Sequence, residues 1–85
     1  MENNFAAWFK RILSDRHKSQ NGLSKELGVT FPTVNQWTKG ALPYLDNWEI
    51  LCDVLELSTD ERITGARAIR EDMLAQTERL ASKFF

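Results

Sequence analysis

Apolar positions recur with a helical period in successive stretches of the chain. Phe5, Trp8, Phe9, Ile12 and Leu13 fall at the i, i+3, i+4, i+7, i+8 spacing that lines one face of a first helix. Asn3 or Asn4 is placed to cap it. "SDRHKS" at 14–19 breaks the pattern and reads as a polar connector. Ser19 then caps a short helix over 20–27 with Leu23 and Leu27 inward, although Gly22 costs it about 1 kcal/mol relative to alanine. Gly28 ends that helix and Thr30 caps a third, predicted over 31–39. Pro32 sits in its first turn, where backbone N–H groups have no intrahelical partner. Gly40 closes it and "ALPY" is a loop. Asp46 and Glu49 form a capping-box-like pair opening a fourth helix, striped by Trp48, Leu51, Cys52 and Leu55. Ser58 and Glu61 repeat that signature and open a last helix reaching the C-terminus. No strand-period alternation, internal repeat or low-complexity tract is present, so the pattern predicts an all-α fold of five helices.

Eighty-five residues suffice for one modest core and leave little room for a sheltered cleft. No apolar run approaches the length of a membrane span, and the N-terminus has an early acid and no signal-type apolar region. The single Cys52 forms neither an intramolecular disulfide nor a zinc site, and a reduced, buried thiol in a cytoplasmic protein is the expectation. His17 stands alone in a polar connector. With no nucleophile–base pair, carboxylate dyad or phosphate-binding glycine loop, the sequence offers no catalytic residue, metal ligand set or cofactor site, and the chain reads as a non-enzyme.

The net charge of −1 hides a polarity. Residues 1–44 carry Lys10, Arg11, Arg16, Lys18, Lys25 and Lys39 against Glu2, Asp15 and Glu26, a balance of +3. Residues 45–85 carry five bases and nine acids, a balance of −4. The segment "GVTFPTVNQWTKG" at 28–40 lies in the positive half. Two short helices joined by a glycine turn make a helix-turn-helix unit. At 100° per residue, Val34 and Trp37 share the inner side of its second helix, while Pro32, Asn35, Gln36 and Lys39 fall on the outer side. Amides pair with adenine edges in the major groove and apolar atoms meet thymine methyls. A solvated face would more often carry Glu–Lys pairs.

"SQNGLSKELGVTFPTVNQWTKG" resembles the helix-turn-helix of the lambda-repressor/Cro-like family of bacterial and phage regulators. The matching positions are Gln20, Leu23, Ser24, Leu27, Gly28, Val29, Thr30, Val34, Trp37 and Gly40, and the likeness extends over residues 5–60. The resemblance implies that Gln20 binds a phosphate and braces the recognition helix. It implies that Phe31, Pro32, Asn35 and Gln36 face base edges, and that Lys39 and the loop through Tyr44 grip phosphates. Phe31 and Pro32 stand where the family often has polar residues, which shifts readout toward apolar contact and shape. Thr38 replaces a frequent glutamate, leaving Arg11 available for a phosphate.

The last helix carries Ile63, Ala66, Met73, Leu80 and Phe84 at three- and four-residue steps, widened by Ile69, Leu74 and Phe85. A core of this size does not cover so long a helix. Either the helix bends back at Gly65, or its apolar face meets a second copy, and the two exposed terminal phenylalanines favour the copy. The expected organisation is a DNA-binding domain at 1–60 and a dimerisation segment at 61–85, with Ile63, Met73, Leu80 and Phe84 at the contact. The reading is a dimeric repressor from a phage or mobile element, acting on a double-stranded operator. An antitoxin-like autoregulator clasping a protein through an acidic C-terminal helix, and an adaptor with a DNA-silent helix pair, are the alternatives.

Overall fold

In the computed structural model, which describes residues 3–84 apart from the side chain of residue 84, five helices follow one another. They are α1 (Asn4–Asp15), α2 (Gln20–Leu27), α3 (Phe31–Trp37), α4 (Leu45–Val54) and α5 (Thr59–Phe84). The expected all-α architecture of five helices is therefore the observed one. The starts follow the capping residues: Asn3, Ser19 and Thr30 each accept from a backbone N–H in the first turn of α1, α2 and α3. Ser58 and Glu61 form a reciprocal capping box at α5, with bonds of 2.9 and 3.2 Å.

Two boundaries differ from the sequence expectation. α3 ends at Trp37 because Thr38 and Lys39 donate to carbonyls three residues back, tightening the last turn. α4 starts at Leu45, and its cap position is Tyr44, which makes no side-chain capping bond. Pro43 is buried and sets the chain's entry there, so Asp46 lies inside the first turn, where its charge favours the helix without capping it.

The helix ends share one device. Lys18, Val29, Ala41 and Leu57 each donate a backbone N–H to the carbonyl five residues back, at 2.9–3.0 Å. The residue before each is in a positive-φ conformation: Gly28 and Gly40 at two ends, His17 and Glu56 at the other two. An aromatic series forms the centre. Trp37 of α3 meets Phe9 edge-on at 6.0 Å, Phe9 stacks on Phe5 at 5.6 Å, and Phe5 touches both Trp8 and Trp48. Leu23, Val34, Leu51 and Leu55 fill the space around it.

Gly65 does not bend α5, which runs without a break from Thr59 to Phe84. It is the point of closest approach. A Cβ at residue 65 would lie 2.6 Å from the Trp48 ring and 2.7 Å from the Trp8 ring. Ala68 is buried one turn on, and Asp72 is buried after it. The Asp72 carboxylate accepts from the backbone N–H groups of Asn4 and Phe5, at 3.1 and 2.8 Å. It thus serves the open donors of the α1 N-terminus from the far end of the chain. The inward stripe of α5 is Gly65, Ala68 and Asp72, with Ile69 half-buried at its edge. Ile63, Met73, Leu74 and Leu80 are each more than half exposed. The side chains of Phe84 and Phe85 lie outside the described residues. The expected boundary at 60/61 falls in the first turn of α5, whose first half is bound to α1.

The acidity expected of the C-terminal helix belongs elsewhere. α5 carries Arg62, Arg67, Arg70, Arg79 and Lys83 against Asp60, Glu61, Glu71, Asp72 and Glu78, five of each sign. The excess negative charge sits on Asp46, Glu49, Asp53 and Glu56, in and just after α4.

Gly65→Ala improves helix propensity by about 1 kcal/mol but drives a methyl into two indoles at a cost of roughly 1–3 kcal/mol. Thermal melts are expected to show a net loss of stability, and a more stable alanine variant would show that the indoles yield freely. Asp72→Ala strands the buried Phe5 donor and the part-buried Asn4 donor and is expected to cost about 1–3 kcal/mol in denaturant unfolding.

Candidate nucleic-acid interface

α2 and α3 pack through small and apolar residues. Leu23 and Val34 are fully buried, Trp37 is nearly so, and Ser24 is buried with its hydroxyl donating to the Asn21 carbonyl at 2.7 Å. Gly28, at φ 73°, makes the turn between them. At the entry to α3 the Thr30 hydroxyl meets both the Thr33 N–H, at 3.4 Å, and the Thr33 hydroxyl, at 2.9 Å. These anchors orient α3 without using its outer face.

That outer face presents Phe31, Pro32 and Gln36 exposed, with Lys39 exposed just beyond the helix end. Asn35 is half-buried, and its carbonyl accepts from the Thr38 hydroxyl at 2.6 Å. Thr38 itself is buried, so its side chain closes the helix. From Leu27 through Leu45 the only charged side chain is Lys39. An apolar tip, two amides and one cation compose the surface. No carboxylate in this stretch opposes a phosphate backbone, and side-chain amides are groups able to pair with base edges.

The other residues singled out by the sequence differ in how open they are. Tyr44, at the start of α4, is 84 % exposed, the most open large hydrophobic side chain among the described residues. Arg11 is exposed on α1 and has no acidic partner among the described residues. Gln20 is the first residue of α2, and its amide oxygen is enclosed without a hydrogen-bond partner. Phosphates accept hydrogen bonds and cannot donate to that oxygen, so any contact from Gln20 to DNA must come from its amino end.

Two cations of the positive half are committed elsewhere. Arg16 donates through Nε to the Leu55 carbonyl at 2.7 Å and pairs with Glu61. Lys18 pairs with both carboxylate oxygens of Glu26, at 2.8 and 2.9 Å. Arg11, Lys25 and Lys39 remain without an acidic partner among the described residues. The sequence gives one signal for the Arg16 tie: Glu61 belongs to a capping box, so its carboxylate is already oriented at the α5 N-terminus. A second tie was invisible beforehand. The Asn3 side chain caps α1 through its oxygen and donates through Nδ2 to the Gly40 carbonyl at 2.8 Å, holding the turn after α3 against α1.

The family profile described as helix-turn-helix matches residues 10–62, more than half of the chain. The chain belongs to the lambda-repressor/Cro-like helix-turn-helix family. It is accordingly a DNA-binding transcription regulator in the general sense, of a family that is not typically enzymatic. Neither the search of curated proteins nor that of solved structures gives a match. Among the described residues no group of acids, cysteine and histidine is arranged to hold a metal ion, and no helix is long and apolar enough to cross a membrane.

The Arg16 hydrogen bond, with the Ser58 N–H second, holds Glu61 down from the ordinary 4.5 to about 2. A carboxylate depressed by folding stabilises fully above its unfolded value and loses that contribution as pH falls through the folded one. Melting temperature is expected to fall as pH drops from about 5 toward 2, and Glu61→Gln to fall less steeply over that window. Parallel profiles for the two proteins would place the acid sensitivity on other groups.

Proposed function

We propose that the protein is a sequence-specific repressor of phage or mobile-element type, working in the cytoplasm as a homodimer on a pseudo-palindromic operator. The observation that carries this reading is the outer face of α3, built of Phe31, Pro32, Asn35 and Gln36 around a rigid inner anchor. Two such helices would enter successive major grooves about 34 Å apart. Gln36 and Asn35 would read base edges, and Phe31 and Pro32 would meet thymine methyls or report groove shape. Gln20, Lys39, Tyr44 and Arg11 would hold the phosphates that fix register. Occupancy of the operator would exclude polymerase, with no cofactor required. The exposed Ile63, Met73 and Leu80 on α5 support the dimer. The antitoxin-like alternative loses its charge argument, because α5 is electrically balanced.

Selection from a random duplex pool is expected to enrich an inverted repeat, and recovery of no preferred sequence would sink the repressor reading. On the selected site Gln36→Ala is expected to cost about 1–3 kcal/mol and to relax preference at one base pair per half-site. Scrambled DNA should be bound almost as before. Lys39→Ala should weaken all sequences alike and flatten the log affinity–log salt plot by roughly one unit per lost contact in each subunit. A salt slope identical to wild type would take Lys39 out of the interface.

A further inference from the structure

Along α5 the outward residues Ile63, Ala66, Arg70, Met73, Thr77 and Leu80 follow alternating steps of three and four, the seam spacing of a two-stranded coiled coil. All six are exposed, because internal packing uses the neighbouring stripe of Gly65, Ala68 and Asp72. Beside the seam, Pro43, Tyr44, Leu45 and Trp48 form a wall. With α5 they enclose an open apolar groove of about 630 Å³, flanked by Ile69 and Met73. A seam and a groove side by side need one occupant that fits both.

We propose that the occupant is a second copy of this chain, with the two α5 helices antiparallel and the two-fold axis at the level of Ala75. This rests on the dimeric reading above and adds direction and register to it. Arg70 decides the direction. In a parallel in-register pair each seam residue faces its own counterpart, so two arginines would share a layer stripped of water. Antiparallel pairing about Ala75 instead sets Arg70 against the partner's Leu80, and Met73 against the partner's Thr77. The Arg70 stem then lies over leucine while its guanidinium extends toward the partner's Glu78, on the same side of the pair and within one turn. The two-fold repeats this contact, giving two opposite-charge pairs and no like-charge pair across the seam. On one flank Leu74 meets its own counterpart, and on the other Gln76 does, an apolar contact and an amide pair. The same register carries the partner's Leu80 past Ile69 into the groove beside Tyr44, Leu45 and Trp48. It also offsets the two Gly65–Ala68 contacts by about 27 Å along the helix pair, at 1.5 Å per residue over some 18 residues.

Cross-linking in the full-length chain tests direction. Arg70→Cys and Leu80→Cys proteins, mixed in equal amounts and mildly oxidised, are expected to join chiefly as the 70–80 mixed disulfide. Wild type, whose Cys52 is buried, should stay uncross-linked. Arg70→Glu is expected to raise the dimer dissociation constant about tenfold or more in sedimentation, and adding Glu78→Arg to recover most of that loss. Both positions are exposed, so far-UV circular dichroism should be unchanged. Dominant 70–70 cross-links in a protein that still binds its selected operator would overturn the antiparallel pairing and leave the regulator reading intact. Failure of Glu78→Arg to recover dimerisation would overturn the register. A wild-type chain that stays monomeric at high micromolar concentration, free and on DNA, would overturn the pairing together with the dimeric reading.

Discussion

The contact of Gly65 with the two indole rings sets where everything else in the molecule can sit. Trp8 comes from α1 and Trp48 from α4, and both touch the same backbone position of α5. Any side chain there would push α5 outward. The rings are also one end of a series that runs through Phe5 and Phe9 to Trp37, the inner anchor of the recognition helix. Aromatic rings are stiff and close-packed, so displacement at one end is passed to the other rather than absorbed locally. The orientation of α3 thus depends on residues more than 25 positions away from it in the chain.

Polar ties fasten both sides of that contact. Glu61 binds Arg16 of the α1–α2 connector and closes its own capping box, while Asp72 serves the α1 N-terminus. The two carboxylates are eleven residues apart on one helix, about 16 Å, with Gly65 and Ala68 between them. α5 is therefore fixed to α1 at its start, at an indole pocket and at a helix cap. Beyond Asp72 it leaves the body, and every described side chain from Met73 onward is exposed. One helix so serves as scaffold in its first half and as free surface in its second.

Much of this was legible from local chemistry. Asn3, Ser19, Thr30 and Ser58 announced four helix starts because capping depends on side chains within a turn of the boundary. The same locality explains the misplaced α4 start, where a buried Pro43 outweighs the Asp46–Glu49 signature. His17 and Glu56 gave no warning of their positive φ, since glycine is the usual residue there. The inner stripe of α5 was hidden for another reason. Periodicity weighs large apolar residues, whereas this helix buries a glycine, an alanine and an aspartate and exposes Ile63, Met73, Leu74 and Leu80. Asp72 could not be read at all, because its partners lie 67 and 68 residues away. On α3, by contrast, burial of Val34 and Trp37 followed directly from spacing, and the exposed face followed from that burial.

The pairing of charges within the fold bears on how such a surface would recognise DNA. Arg16 and Lys18 are held by Glu61 and Glu26, while Arg11, Lys25 and Lys39 have no acidic partner among the described residues. Nonspecific affinity grows with the number of counterions released, so in the proposed reading so few unpaired cations would supply a shallow salt dependence and weak binding to arbitrary sequence. A single recognition helix bearing Phe31, Pro32, Asn35 and Gln36 would, in that reading, add only a few kilocalories of base readout. In the proposed reading the missing affinity comes from linking two half-sites, where the second binds at the effective concentration set by the first. The balance favours selectivity: a weakly charged surface gains little from wrong DNA, and a dimer gains fully only where two matching half-sites stand one helical turn apart. In that reading the free half of α5, whose described side chains are all exposed, would be what makes so lightly charged an interface sufficient.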